Sequence, residues 1–276
     1  MFKKTAELIL TILIFLFVIN YFFDKTPPVN EFTKTCLITG ASSGIGTELA
    51  KEMITRGWKV IGVARNIEKL EELKRELGNK FVPYKCDVSN LEQIHKVSEE
   101  IKSKDLQPTL FFLNAGTGEV EPKDEFTTNA HKKVFDTNYF GTIAWIENWL
   151  DFVKNHGGGA FVATSSVMAL FATPGTSAYS ASKAAINNCF QALRLQYFND
   201  DISFIVALPG PVDTPMLKGP ARDLPFIQTP KDCAKYMVNQ VFNRKKQIEP
   251  AWFYSTVLRI FNLLPDEILI KILGKK

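Results

Sequence analysis

A glycine-rich turn between a short apolar strand and a helix does most to limit what this chain can fold into. Thr35 to Thr39 (TCLIT) reads as a strand, GASSGIG follows at once, and the run from about Ile45 to Arg56 has helical spacing. Gly40, Gly44 and Gly46 let the backbone turn tightly and approach a pyrophosphate. The free N–H groups and dipole of the helix N-terminus favour such an anion there. A glycine triplet alone is a weak signal. The strand before it, the helix after it and a second strand at Lys59 to Ala64 supply the context it needs. From Thr35 onward strand and helix keep alternating, which predicts an α/β, doubly wound parallel sheet.

Each later strand ends in chemistry-bearing residues. The second ends in Ala64-Arg65, where no carboxylate stands to repel a ribose 2′-phosphate and a guanidinium can pair with one. A charged helix, Ile67 to Leu77, and a strand, Phe81 to Tyr84, lead into CDVSN, which places Asp87 and Val88 after the third strand. Asp87 or Ser89 can also cap the helix beginning near Leu91. TLFFL ends in Asn114-Ala115-Gly116, and a long helix from about Ala130 to Val153 contains Asn138, polar among apolar neighbours. That position suits a capped kink or a core hydrogen bond.

The fifth strand, Ala160 to Thr164, runs into Ser166. The helix from Ser177 to Phe198 then carries Tyr179 and Lys183 four residues apart, on one face. A free phenol has a pKa of about 10, and a neighbouring cation favours its phenolate, making it a usable general acid or base. After the sixth strand, ISFIVAL, comes Pro209-Gly210-Pro211-Val212-Asp213-Thr214.

Together these residues resemble the short-chain dehydrogenase/reductase family, whose signature is a Ser followed about thirteen residues later by Tyr-x-x-x-Lys. The resemblance covers roughly Thr35 to Leu217 and implies a seven-stranded, Rossmann-type sheet in a single domain, residues 29–250. It implies NADP(H) as cofactor, with Gly40, Ser42, Ser43, Gly44, Ile45 and Gly46 around the pyrophosphate and Arg65 at the 2′-phosphate. Asp87 would meet the adenine amino group and Val88 its ring, while Asn114, Ala115 and Gly116 lie beside the cofactor. Pro209, Gly210, Val212 and Thr214 would close over the nicotinamide. Tyr179 becomes the proton donor, Ser166 the holder of the substrate oxygen, and Lys183 the group that lowers the Tyr179 pKa and binds the ribose. Asn138 would hold a water linking Lys183 to solvent. A homodimer or homotetramer fits the family.

Two ends lie outside that domain. Residues 6–23, AELILTILIFLFVINYFF, are almost wholly apolar, and eighteen residues cover about 27 Å, enough for a bilayer core. Lys3 and Lys4 also suit a signal peptide, but YFFDKTPP offers no small-x-small cleavage site, so residues 1–28 read as an uncleaved single-pass anchor and a stiff Pro27-Pro28 linker. Such an anchor suits an endoplasmic reticulum or bacterial inner membrane, with a weak bias toward a cytoplasmic N-terminus. The tail, residues 251–276, predicts two short apolar helices broken at Pro265, and core packing and an interfacial membrane position both fit it.

Composition narrows the classes further. A net charge of +4, evenly spread, gives no nucleic-acid footprint. Cys36, Cys86, Cys189 and Cys233 show no metal spacing and read as free core thiols, and His95, His131 and His156 share no ligand spacing, so no metal is expected. Leu217, Leu224, Pro225 and Phe226 in the segment 216–229 suggest an apolar ligand under a lid. The expected activity is interconversion of a ketone or aldehyde and an alcohol on a hydrophobic substrate: a steroid, retinoid, long-chain ketone or 3-ketosphingoid base. Two rivals remain. One is a catalytically idle NADP(H)-binding sensor or scaffold, which would lack a catalytic residue; none is lacking. The other acts on nucleotide sugars and has a longer C-terminal domain than this length allows.

Overall fold

A computed structural model of the chain describes residues 25–118, 126–217 and 219–274, together with Thr11 and Phe15. Seven strands form one sheet: β1 Thr35–Thr39, β2 Lys59–Ala64, β3 Phe81–Lys85, β4 Leu110–Leu113, β5 Gly159–Thr164, β6 Ile202–Ala207 and β7 Gln247–Ile248. Their order is β3-β2-β1-β4-β5-β6-β7, and every pair is parallel. Parallel strands need crossovers and are covered on both faces, which explains their near-continuous apolar wording.

Alternation along the strands feeds two cores. Cys36, Ile38 and Phe112 point to the face covered by α1 (Gly44–Thr55), α2 (Ile67–Leu77) and α7 (Pro230–Phe242), through Leu49, Met53, Leu70 and Met237. Leu37, Phe111 and Phe161 point to the other face. There Ile94 of α3 (Leu91–Ser103), Trp145 and Trp149 of α5 (Gly141–Asn155), and Ile186 and Phe190 of α6 (Ser177–Gln196) cover them. Side-chain caps set some of the helix starts. Asn66 accepts from Lys69 N, and Thr229 from Asp232 N with Pro230 in the first turn. The strand order reverses between β1 and β4, which opens a crevice at the C-terminal ends of the strands.

Several expectations are corrected. Asn90, not Asp87 or Ser89, caps α3, accepting from Gln93 N at 3.0 Å. Asp87 instead accepts from the backbone N and hydroxyl of Ser89, closing a turn on itself. The single helix expected from Ala130 to Val153 is α4 (Thr128–Phe135), then a wider π-type turn over Asp136–Phe140, then α5. Of the four thiols, Cys189 is only half-buried. His95 and His156 are exposed as expected, whereas His131 is half-buried against the Ser177 hydroxyl.

The stretch expected to be a stiff linker is fastened along the N-terminal edge of the sheet. Thr26 N donates to Arg244 O, Ser203 Oγ to Pro27 O, Thr109 Oγ1 to Asn30 O, and Asn30 Nδ2 to the carbonyls of His156, Gly157 and Gly158. The anchor expected over residues 6–23 lies outside the described residues apart from Thr11 and Phe15. Among the described residues no helix is long and apolar enough to cross a membrane. The tail is two helices, α8 (Trp252–Phe261) and α9 (Asp266–Leu273), separated at Pro265.

Candidate active site

β5 stops at Thr164, and the chain passes through Ser165 and Ser166 into a single 3-10 turn, Val167–Ala169. Ser166 is buried; its Oγ accepts from Met168 N at 3.1 Å, and its hydroxyl lies near enough to the Tyr179 phenol to lower that group's pKa. Tyr179 lies in the first turn of α6 and Lys183 one turn on, so both reach the same end of β5. The Lys183 side chain, 3% exposed, donates to Thr164 O at 2.7 Å, and its Nζ sits 5.7 Å from the centroid of the Tyr179 ring.

The electrostatics differ from the sequence expectation that Lys183 pulls the phenol down. Burial raises the Tyr179 pKa above its usual value, and the Ser166 hydroxyl is what draws it back. The ammonium is turned to the Thr164 carbonyl and lies beside the ring. Its own charge is penalised by burial, which lowers the Lys183 pKa to about 8. Tyr179 remains half-buried as a residue.

Asn138 is brought in by the wide turn between α4 and α5, a device that rotates one residue out of helical register. It is fully buried. Its Oδ1 accepts from Thr117 N at 2.8 Å, and its Nδ2 donates to Thr117 O and to Ser182 Oγ, both at 3.0 Å. Ser182 Oγ in turn donates to Tyr179 O at 2.7 Å. Asn138 therefore clamps the loop after β4 to the helix that carries Tyr179. Gly116 fits between them: a Cβ there would lie 3.2 Å from Asn138 Oδ1 and 3.3 Å from Lys183 Nζ.

The glycine turn has the shape of a backbone cradle. Gly40 and Gly44 have φ of +69° and +57°, and a Cβ on Gly46 would lie 2.1 Å from Gly40 O. Ser43 occupies the N-cap position of α1, yet its side chain makes no capping bond; Ser42 is half-buried beside it, and Ile45 packs on the core. These residues fit a bound pyrophosphate, since the first N–H groups of α1 face a turn that a side chain at Gly46 would fill. Thr214 leans on the turn, its Cγ2 2.9 Å from where a Cβ on Gly44 would be. Pro209 O accepts from Val167 N, and Val212 pairs with Gln228, so the closing segment is tied to the turn holding Ser166. Gly210 abuts Ala251 and Tyr254 at the start of the tail.

Asn114 acts as a strut. Its N donates to Thr39 Oγ1 at 2.9 Å, its Nδ2 to Thr39 O at 3.3 Å, and its Oδ1 accepts from Thr164 Oγ1 at 3.1 Å. Ala115 N shares Thr39 Oγ1, and Ala115 Cα packs against Gly40. Three strand ends are thus locked in one layer. Arg65 is exposed and lines an open cleft of about 450 Å³ with Asp87 and Ser89 and, across it, Asn129, Lys132 and Lys133 of α4. Val88, expected against an adenine ring, is buried in the core with its carbonyl pressed on Gly141.

Sequence reasoning missed Thr39, Thr117, Ser182 and Met216. The first three act through hydrogen bonds to residues far away in the chain. Met216 Sδ comes within 3.3 Å of a Cβ placed on Gly118, beside the Tyr179 ring, and its position in the lid segment was the available signal.

A family model described as short chain dehydrogenase matches residues 34–224. The chain is 31% identical over 254 residues to 11-beta-hydroxysteroid dehydrogenase 1A of Arabidopsis thaliana, covering 83% of this chain and 72% of that protein. It is 30% identical over 229 residues to the NADPH-dependent 1-acyldihydroxyacetone phosphate reductase of Saccharomyces cerevisiae, covering 82% and 77%. Among solved structures, a short chain dehydrogenase from Burkholderia cenocepacia in complex with NADP superimposes with a TM-score of 0.74 at 24% identity, covering 88% of this chain and 98% of that one.

Proposed function

Since the chain belongs to the short-chain dehydrogenase family, we propose that it is an NADP(H)-dependent oxidoreductase interconverting a ketone or aldehyde and an alcohol on a hydrophobic, lipid-like substrate. The observation that carries this reading is the grouping of Ser166 and Tyr179 at the end of β5 with the buried ammonium of Lys183, 5.7 Å from the ring centroid. When bound, the nicotinamide supplies or accepts the hydride at the carbonyl carbon. The remaining work falls to this chain's own residues. In the reducing direction the Ser166 hydroxyl holds the substrate oxygen and Tyr179 gives it the phenolic proton. That proton is replaced from the Lys183 side, where Asn138 Oδ1 keeps one lone pair beyond its bond from Thr117 N for a relay water.

Arg65 and the absence of an acid at Ala64 support NADP(H) over NAD(H). The yeast relative is named as NADPH-dependent, which agrees. An apolar lid with Met216, Leu217, Leu224 and Phe226 supports a lipid-like substrate, as do the steroid and acyl-lipid names of the relatives. Residues 6–23 are proposed to anchor the protein to a membrane. NADPH oxidation by the detergent-solubilised chain, screened against steroid, retinoid and long-chain ketones, tests the function. Turnover with at least one of them, abolished by Tyr179→Phe, is the expected result; no turnover with any, despite NADPH binding, would favour an idle NADP(H)-binding protein.

A further inference from the structure

The tail keeps only part of itself in the core. Tyr254 and Leu258 of α8 pack inward and Ser255 is buried, while Phe171 beyond the Ser166 turn meets Phe261 edge-on at 5.8 Å. The outward side of α8 is apolar nonetheless: Trp252 is 69% exposed and Leu263, just past its end, 82%, with Phe253 and Ile260 beside them. α9 buries none of its residues, although five of its eight are Ile or Leu. A helix of that length does not hold itself in water; short helices are stabilised by burying an apolar face, and here the described residues cover it only in part, leaving Ile268, Ile270 and Ile272 exposed.

The same face continues to the mouth of the active site. Phe226 in the lid is 72% exposed and meets Phe253 with ring centroids 5.5 Å apart, and the Tyr254 hydroxyl donates to Pro225 O. The N-terminal apolar run joins the domain at this edge too. Lys25 bridges antiparallel to Lys245, and Thr26 N donates to Arg244 O. The edge strand β7 follows at Gln247–Ile248, and α8 starts at Trp252. The chain that leads in from the N-terminal run, from Lys25 onward, and the start of the tail therefore both adjoin the β7 edge.

We propose that the β7 edge lies on a lipid bilayer, with the outward face of α8 and α9 sunk into the interface beside the anchor formed by residues 6–23. A bilayer suits this face better than a second copy because its apolar surface carries an exposed tryptophan, the residue type that settles at lipid–water boundaries. It also places the Phe226 side of the lid against the lipid phase, so a membrane-dissolved ketone reaches Tyr179 without crossing water. The placement rests on the anchoring proposed above; it does not depend on the enzymatic reading.

Tryptophan fluorescence of the full chain in phosphatidylcholine vesicles tests it. Trp58, Trp145 and Trp149 are buried, and the sequence has no other tryptophan besides Trp252. Vesicles containing 6,7-dibrominated phosphatidylcholine should quench the emission, and Trp252→Phe should abolish the quenching. Ile260→Glu with Leu263→Glu should also abolish it while the chain still floats with the vesicles. In that double variant the KM for a long-chain ketone should rise at least roughly tenfold, the effect of losing one large buried apolar side chain, with kcat unchanged. Flotation with equal quenching in wild type and Trp252→Phe overturns the placement, since another copy or the segment 6–23 then covers the tail. Failure to float overturns both anchor and placement. Absence of ketone turnover with Trp252 still quenched leaves the placement standing and removes only the enzymatic reading.

Discussion

Raising the pH from 7 to 10.5 should stabilise the wild-type fold relative to Lys183→Met. The Lys183 ammonium is 3% exposed, has one hydrogen-bond acceptor in the Thr164 carbonyl, and has its pKa lowered from the usual 10.5 to about 8 by burial. Below pH 8 both folded and unfolded chains carry the proton, so folding bears the full cost of enclosing the charge. Between pH 8 and 10.5 the unfolded chain holds a proton that the folded chain has shed. Unfolding then takes up a proton, and stability rises with pH. Above 10.5 both states are neutral and the cost is gone. A difference of about 2.5 pKa units at 1.36 kcal/mol each comes to about 3 kcal/mol, undiminished by solvent because the group is enclosed. Methionine keeps the length of the stem and cannot titrate. Its failure to satisfy Thr164 O adds about 1 kcal/mol, an offset that does not vary with pH. Urea unfolding of both cofactor-free proteins in nonionic detergent, at half-unit steps of pH, gives the difference directly, and other titrating groups cancel in it. The wild type should gain about 3 kcal/mol on the variant across the window. A difference that stays flat from pH 7 to 10.5 refutes the buried ammonium.

Three other outcomes are expected. Tyr179→Phe removes only the hydroxyl, so the fold and NADPH binding should persist while turnover drops to near background; activity comparable to wild type would sink the mechanism. Wild type should bind NADPH more tightly than NADH by roughly ten- to a hundredfold, the range of a charge-assisted Arg65 contact, and Ala64→Asp with Arg65→Leu should reverse the preference. Nicotinamide fluorescence titrations at fixed salt decide that, equal affinities in the wild type counting against Arg65. Asn138→Ala orphans Thr117 N and frees the loop after β4, so it should cost about 1–3 kcal/mol of stability in urea melts, and a loss below that range would mean the clamp is dispensable.

What the sequence determined by itself is whatever depends on neighbours within a few residues. Alternating apolar strands, glycines where a turn needs positive φ, and Tyr179 and Lys183 one helical turn apart are all short-range patterns. They made the α/β class, the first six strands and the catalytic grouping legible, whereas the two-residue β7 left no such pattern. Family wording at the strand ends supplied the rest of the site. The tertiary structure alone decided which partners those residues take. Asn114 is a strut because Thr39 and Thr164, 75 and 50 residues away, arrive beside it across β1, β4 and β5. Asn138 binds Thr117 and Ser182 because a π-type turn interrupts what reads as one helix, and no period in the sequence marks the extra residue. Lys183 turns to the Thr164 carbonyl, and its charge state follows from burial, a property of the packed interior. The tail's helices and their break at Pro265 were readable, but which of their sides the protein leaves uncovered was not. Periodicity shows that a helix has an apolar face, and only the packing of distant segments settles whether anything is there to cover it.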